Sequence, residues 1–148
     1  MENTRELFQI FVRRFGILHA DCCDCCCGEE VSMVQCHIMY EINRLYSPSM
    51  QQVAGALGMD ITTFSRQIKT LEKKGLVEKA PDLEDRRINV LALTDKGKQT
   101  EQRIDLMMKG YIEDIMSQLT EFERDMIIRS MQLLNKAILQ SDCCCRSK

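Results

Sequence analysis

Three times along its 148 residues the sequence places a hydroxyl side chain three positions ahead of a glutamine or glutamate: Ser32 with Gln35, Ser49 with Gln52, and Thr120 with Glu123. At that spacing the hydroxyl accepts the N–H of the third helical residue while the longer side chain reaches back to the cap's own N–H, so each pair fixes a helix start. With only two prolines and seven glycines in the chain, little interrupts the helices that follow. Ser32 opens a helix through about Tyr46, and "YSPS" is a turn. Ser49 opens the short helix "MQQVAGAL", which stops at Gly58, and Thr120 opens a helix reaching about Gln140. Asp60 caps "ITTFSRQIKTLEKKG", which ends at Gly75, and Thr94 caps a long helix to about residue 117. Upstream, Leu7, Phe11, Phe15 and Leu18 fall on one helical stripe, so residues 3–20 read as an amphipathic helix broken by a run of cysteines and Gly28. Between Gly75 and Thr94, "LVEKA" and "INVLALT" are extended segments flanking the turn "PDLEDRR".

That order predicts a mostly α fold with a small β-hairpin wing: a winged helix-turn-helix with helical dimerisation extensions at both ends. Residues 1–30 form an N-terminal helix and cysteine-rich loop for dimerisation and sensing. Residues 31–100 form the DNA-binding domain. Residues 101–148 supply C-terminal dimerisation helices and a cysteine-rich tail. Ile104, Met107, Met108, Tyr111, Ile115, Phe122, Met126, Leu133, Leu134 and Ile138 are more apolar surface than a small winged domain covers. A homodimer that interleaves the terminal helices would bury it.

The net charge of −2 is unevenly divided. Residues 49–100 carry nine basic and seven acidic side chains, whereas both flanking thirds are net acidic. A polyanion would therefore dock on the middle of the chain. On the helix after Asp60, Phe64, Ile68 and Leu71 form the inward stripe. Thr62, Thr63, Ser65, Arg66, Lys69, Thr70 and Lys73 supply hydroxyls and cations for base edges and phosphates. Arg66 has the fork that guanine accepts. Arg86 and Arg87 at the hairpin tip suit the DNA backbone or the negative potential of a minor groove.

In "VSMVQCHIMYEI", "MQQVAGALGMDITTFSRQIKTLEKKGLVEK" and "PDLEDRRINVLALTDKG" the chain resembles the MarR family of winged-helix transcriptional regulators, closely over about residues 31–100 and in layout beyond. The resemblance implies a homodimer, built from the terminal helices, on a palindromic duplex. It implies that the second helix of each motif enters the major groove, and that Arg87, oriented by Asp85, enters the minor groove. Most such relatives repress transcription and release DNA when a small molecule or an oxidant binds.

The resemblance does not supply the cysteines. Eight of nine lie in two clusters, Cys22, Cys23, Cys25, Cys26 and Cys27, and Cys143, Cys144 and Cys145. No apolar run approaches the ~20 residues of a membrane span, and "MENTRELFQI" has no signal-peptide pattern. A cytoplasmic location, with reduced thiols and no membrane partner, is the expectation. Crowded thiolates repel one another, and a soft ion that binds several sulfurs relieves that cost. Irregular backbone after the first helix is expected to suit ligation, since adjacent residues on a regular helix point apart. Copper(I), arsenite or antimonite, mercury, cadmium, lead and zinc all fit a sulfur-rich site. Cys36, inside a helix, reads as core, and His19 and His37 read as isolated structural residues. Ten methionines on helical stripes read as core filler. No phosphate loop, carboxylate pair in a cleft or His-activated nucleophile points to an enzyme.

The expected function is a dimeric DNA-binding repressor released from its operator when a thiophilic metal or metalloid ion binds the cysteine clusters. A thiol-based sensor of oxidants or electrophiles is the alternative that keeps DNA binding. A metal-sequestering protein without regulatory DNA binding is the alternative from another class.

Overall fold

The computed structural model describes residues 3–26 and 31–141, and side-chain surroundings for 3–15 and 31–141. In chain order the elements are α1 (Thr4–Cys26), α2 (Met33–Arg44), α3 (Met50–Ala56), α4 (Ile61–Lys73), β1 (Val77–Pro81), β2 (Asn89–Leu93), α5 (Asp95–Ser117) and α6 (Glu121–Gln140). The chain forms two compact units, Met1–Met108 and Lys109–Lys148.

All three capping boxes are formed with both of their hydrogen bonds. Ser49 Oγ accepts the Gln52 N–H at 3.1 Å while Gln52 Oε1 accepts the Ser49 N–H at 2.8 Å. Asp60 caps α4 through one oxygen, which accepts the N–H groups of both Thr62 and Thr63 at 3.0 Å. Gly58 and Gly75, after the ends of α3 and α4, take φ of +63° and +69°, the left-handed conformation that ends a helix and that side chains resist.

In the first unit the core is built on α4, whose Phe64, Ile68 and Leu71 are buried. Around them pack Ile38, Met39 and Ile42 of α2, Val53 and Ala54 of α3, Leu76, Val77, Leu91 and Leu93 of the hairpin, and Ile104 of α5. Cys36 is buried in this cluster, as its position inside a helix led us to expect. The hairpin is antiparallel, with register from Val77 opposite Leu93 to Pro81 opposite Asn89. Pro81 closes β1 rather than belonging to the turn, a strand-end position that tolerates its missing N–H. The Leu91 N–H donates to the Pro48 carbonyl at 2.8 Å, tying the base of the hairpin to the turn before α3.

The start of α5 is docked on the α4–β1 connection. Thr94 Oγ1 donates to the Gly75 carbonyl at 2.6 Å, and Lys96 Nζ to the Lys74 carbonyl at 3.0 Å. The Thr94 N–H donates to the Leu76 carbonyl at 3.1 Å. Gly97 is buried against that carbonyl, where a Cβ would overlap the oxygen. Further along α5, the buried Glu101 accepts a 2.9 Å hydrogen bond from Asn43 of α2.

α1 departs from expectation. It runs six residues past the anticipated end, so Cys22, Cys23, Cys25 and Cys26 stand on helical backbone, not in an irregular loop. The reason is that residues 21–26 contain neither glycine nor proline, and aspartate and cysteine inside a helix cost only fractions of a kcal/mol (about 0.7 at most). Leu7, Phe8, Phe11, Val12 and Phe15 of α1 are exposed, with the rings of Phe11 and Phe15 stacked at 5.7 Å. In the second unit α6 has no buried residue: Phe122, Met126, Leu133, Leu134, Ile138 and Leu139 are all exposed in the single chain.

Candidate nucleic-acid interface

Because Phe64, Ile68 and Leu71 take the inner side of α4, the 3.6-residue period turns Thr62, Thr63, Arg66, Lys69, Thr70 and Lys73 outward, and all six are exposed. The outer face thus holds three cations and three hydroxyls and no carboxylate. Thr70 differs from the expected free donor: its Oγ1 donates to the Arg66 carbonyl at 3.1 Å, which leaves its oxygen lone pairs for a ligand.

Ser65, the seventh expected contact, is half-buried and lies on the side of α4 toward the wing. It lines a concave surface with Ser49, Gln51, Arg87 and Asn89. The helix and the wing therefore border one groove, with Ser65 and Arg87 both on its wall. Gln51 and Asn89 escaped the sequence reading, which weighed cations and the α4 face and had no signal for neutral side chains on neighbouring elements. Arg86 is exposed near the tip of the wing.

Arg87 is held by a fork. Its Nε donates to Asp85 Oδ1 at 3.0 Å and a terminal nitrogen donates to Oδ2 at 3.1 Å, while its backbone N–H also reaches Oδ1 at 3.1 Å. The Arg87 side chain stays 90% exposed, so it is aimed without being covered. The pairing holds the Asp85 carboxyl below the usual carboxylate range and raises Arg87 above its ordinary value. Asp60 is likewise held low, chiefly by hydrogen bonds from Thr63, with the Arg66 charge adding a smaller effect. Asp60 and Asp85 thus spend hydrogen-bonding capacity on internal partners, whereas Asp82 stands on the wall of the groove itself.

The expected ion site is not brought together by what is described. Cys27, Cys143, Cys144 and Cys145 lie outside the described residues, as do the side chains of Cys22, Cys23, Cys25 and Cys26. Among the described residues no three His, Cys, Asp or Glu side chains converge as a metal site. His37 is exposed on α2. No helix among the described residues is long and apolar enough to cross a membrane.

Residues 31–88 match the MarR family model. The HTH-type transcriptional regulator PrsX of Escherichia coli is 28% identical over 129 residues, 87% of this chain and 68% of the relative. Among solved structures, Streptococcus pneumoniae FabT in complex with DNA superposes with a TM-score of 0.80 at 22% identity, covering 92% of this chain and 94% of that one. The S. aureus MepR–DNA complex gives 0.78 at 17% identity over 93% and 99%. The winged helix-turn-helix architecture is shared with both.

Proposed function

We propose that this chain, whose residues 31–88 match the MarR family model, is a transcriptional regulator of that family that binds duplex DNA as a homodimer and releases it when a soft ion is taken up by its cysteines. The observation that carries the DNA part is the outer face of α4, with its three cations and three hydroxyls, flanked by a groove that runs from Ser65 on the side of that helix to a wing arginine that a carboxylate holds in place. A helix of this kind reads base edges with Arg66 and hydroxyls, while Lys69, Lys73 and the wing arginines neutralise phosphates. FabT and MepR, whose fold this chain shares, have been crystallised on DNA. The dimer is supported by the exposed apolar side chains of α1 and α6, which a lone chain leaves in water.

The sensing part rests on donor chemistry. Five thiols within six residues and three in a row are a soft-donor set, suited to copper(I), arsenite or antimonite, mercury, cadmium or lead, with zinc the hardest ion that fits. Helical backbone through Cys26 modifies how ligation would work. Cys22 precedes Cys25 and Cys26 by three and four residues, the separations that share one helical face. With Cys23 and Cys27 they offer several thiols to one ion, Cys143, Cys144 and Cys145 offer three more, and multi-thiolate binding supplies the several kcal/mol that such a switch requires.

The test is a titration of the reduced protein on duplex DNA with each ion and, separately, with peroxide. Release by one or more ions, lost when Cys25, Cys26 and Cys27 are all replaced by serine, is the expected result. Release by peroxide alone, reversed by reductant, would assign the thiols to oxidant sensing instead. Ion uptake by a chain that binds no DNA would make it a sequestering protein.

A further inference from the structure

A buried amide stands between α2 and α4. Gln35 is 6% exposed, and its Oε1 accepts from the Ser32 N–H at 3.3 Å and from Lys74 Nζ at 3.1 Å. Both partners are donors only, which fixes the end of the amide facing them as the oxygen. Its nitrogen is then the end that faces α4, and it donates to Gln67 Oε1 at 3.1 Å. The polarity passes on: with its oxygen turned inward to Gln35, Gln67 must carry its NH2 group on the other side. Gln67 is partly buried, and it lies one turn from Thr63 and from Thr70, both exposed, at the margin of the cationic face.

We infer that Gln67 contacts DNA, offering an amide N–H to an acceptor atom of the duplex, and that Gln35 is the positioning residue that keeps a donor there. The inference rests on the proposal that the chain binds duplex DNA. It adds a contact that the cations and hydroxyls of α4 did not include, and it gives the buried glutamine a task beyond capping α2. DNA presents acceptors at every phosphate and at purine edges, so a donor at this margin is productive and an acceptor there is repelled.

Gln35→Glu separates this role from a merely structural one. A carboxylate still accepts from Ser32 and Lys74 but has no proton for Gln67, which must reverse its amide and turn its oxygen toward the DNA. The probe is a duplex selected by the native protein from a randomised pool. We expect the variant to unfold at the native urea concentration yet bind that duplex about tenfold more weakly, within the range of a lost hydrogen bond. In a Gln67→Ala background the same change should have no further effect. A change in base preference at one position would place the acceptor on a base, and uniform weakening would place it on a phosphate. Native-strength binding by Gln35→Glu, or an undiminished loss in the Gln67→Ala background, overturns the inference. If Gln35→Glu does not fold, Gln67→Ala decides: roughly three- to tenfold weaker binding at unchanged stability supports the contact, and unchanged binding refutes it. A native chain that selects no duplex at all defeats the DNA-binding proposal itself, a failure seen before any variant is measured.

Discussion

Gly97→Ala sets two well-understood effects against each other. Gly97 lies in the first turn of α5, and alanine is the better helix former by up to about 1 kcal/mol. On that ground alone the variant should be more stable. The packing says otherwise, because the added Cβ would overlap the Leu76 carbonyl oxygen, a backbone atom that cannot rotate away. To clear it, α5 must lift from the α4–β1 connection, at the overpacking cost of about 1–3 kcal/mol. Lifting also loosens the Thr94–Gly75, Thr94–Leu76 and Lys96–Lys74 hydrogen bonds, each worth on the order of 1 kcal/mol. Against a gain near 1, the net is a loss of about 2–4 kcal/mol. In urea, with a slope of about 2 kcal/mol per molar, the midpoint should fall by roughly 1–2 M with the slope unchanged. Measurements on both proteins must be made at one protein concentration, since association shifts the midpoint. A midpoint equal to or above that of the native chain would show that α5 is not seated as described.

Phe64→Ala, at a fully buried position beneath the cationic face, should cost about 3–5 kcal/mol and abolish DNA binding by unfolding; a folded variant by circular dichroism at 37 °C would contradict the core assignment. Arg66→Ala should relax a base preference, whereas Arg87→Ala should weaken binding to all duplexes, which competition with single-base variants of the site distinguishes. Asp60 has a folded pKa below its unfolded value near ~3.9, so its contribution is present above that pH and lost as pH falls through the depressed value. The native chain should therefore exceed Asp60→Asn in stability at neutral pH and converge with it in acid; a constant gap across that range would count against the charge as the cause. Joint replacement of Leu134 and Ile138 by glutamate, both exposed on α6, should leave sedimenting monomers that bind DNA poorly, and an unchanged dimer would place the interface elsewhere.

The winged domain was legible because its punctuation is local. Ser32, Ser49, Asp60 and Thr120 each declare a helix start through atoms no more than three residues away, and all four caps formed. The Phe64–Ile68–Leu71 stripe likewise reports its own burial through periodicity, and with it the exposure of Arg66, Lys69 and Lys73. Features made by residues distant in sequence left no such trace. Gln35 read only as a cap partner, since nothing nearby indicates that its other end meets Gln67, 32 positions on. Gly97 read as one more glycine, because the Leu76 carbonyl that forbids a side chain there belongs to another element. The end of α1 differs from expectation for the opposite reason: the cysteines look like a break, though their backbone preferences are ordinary and residues 21–26 contain neither glycine nor proline.

The bare flank of α6 has a bearing on how the cell could tune such a regulator. In the proposed dimer, a helix that buries no residue within its own protomer would draw its persistence from encounter with another copy, so the competent species would grow faster than in proportion to synthesis. Modest changes in gene dosage or translation would then shift operator occupancy more steeply than a one-chain binder allows. Expression level itself would become an input to the response.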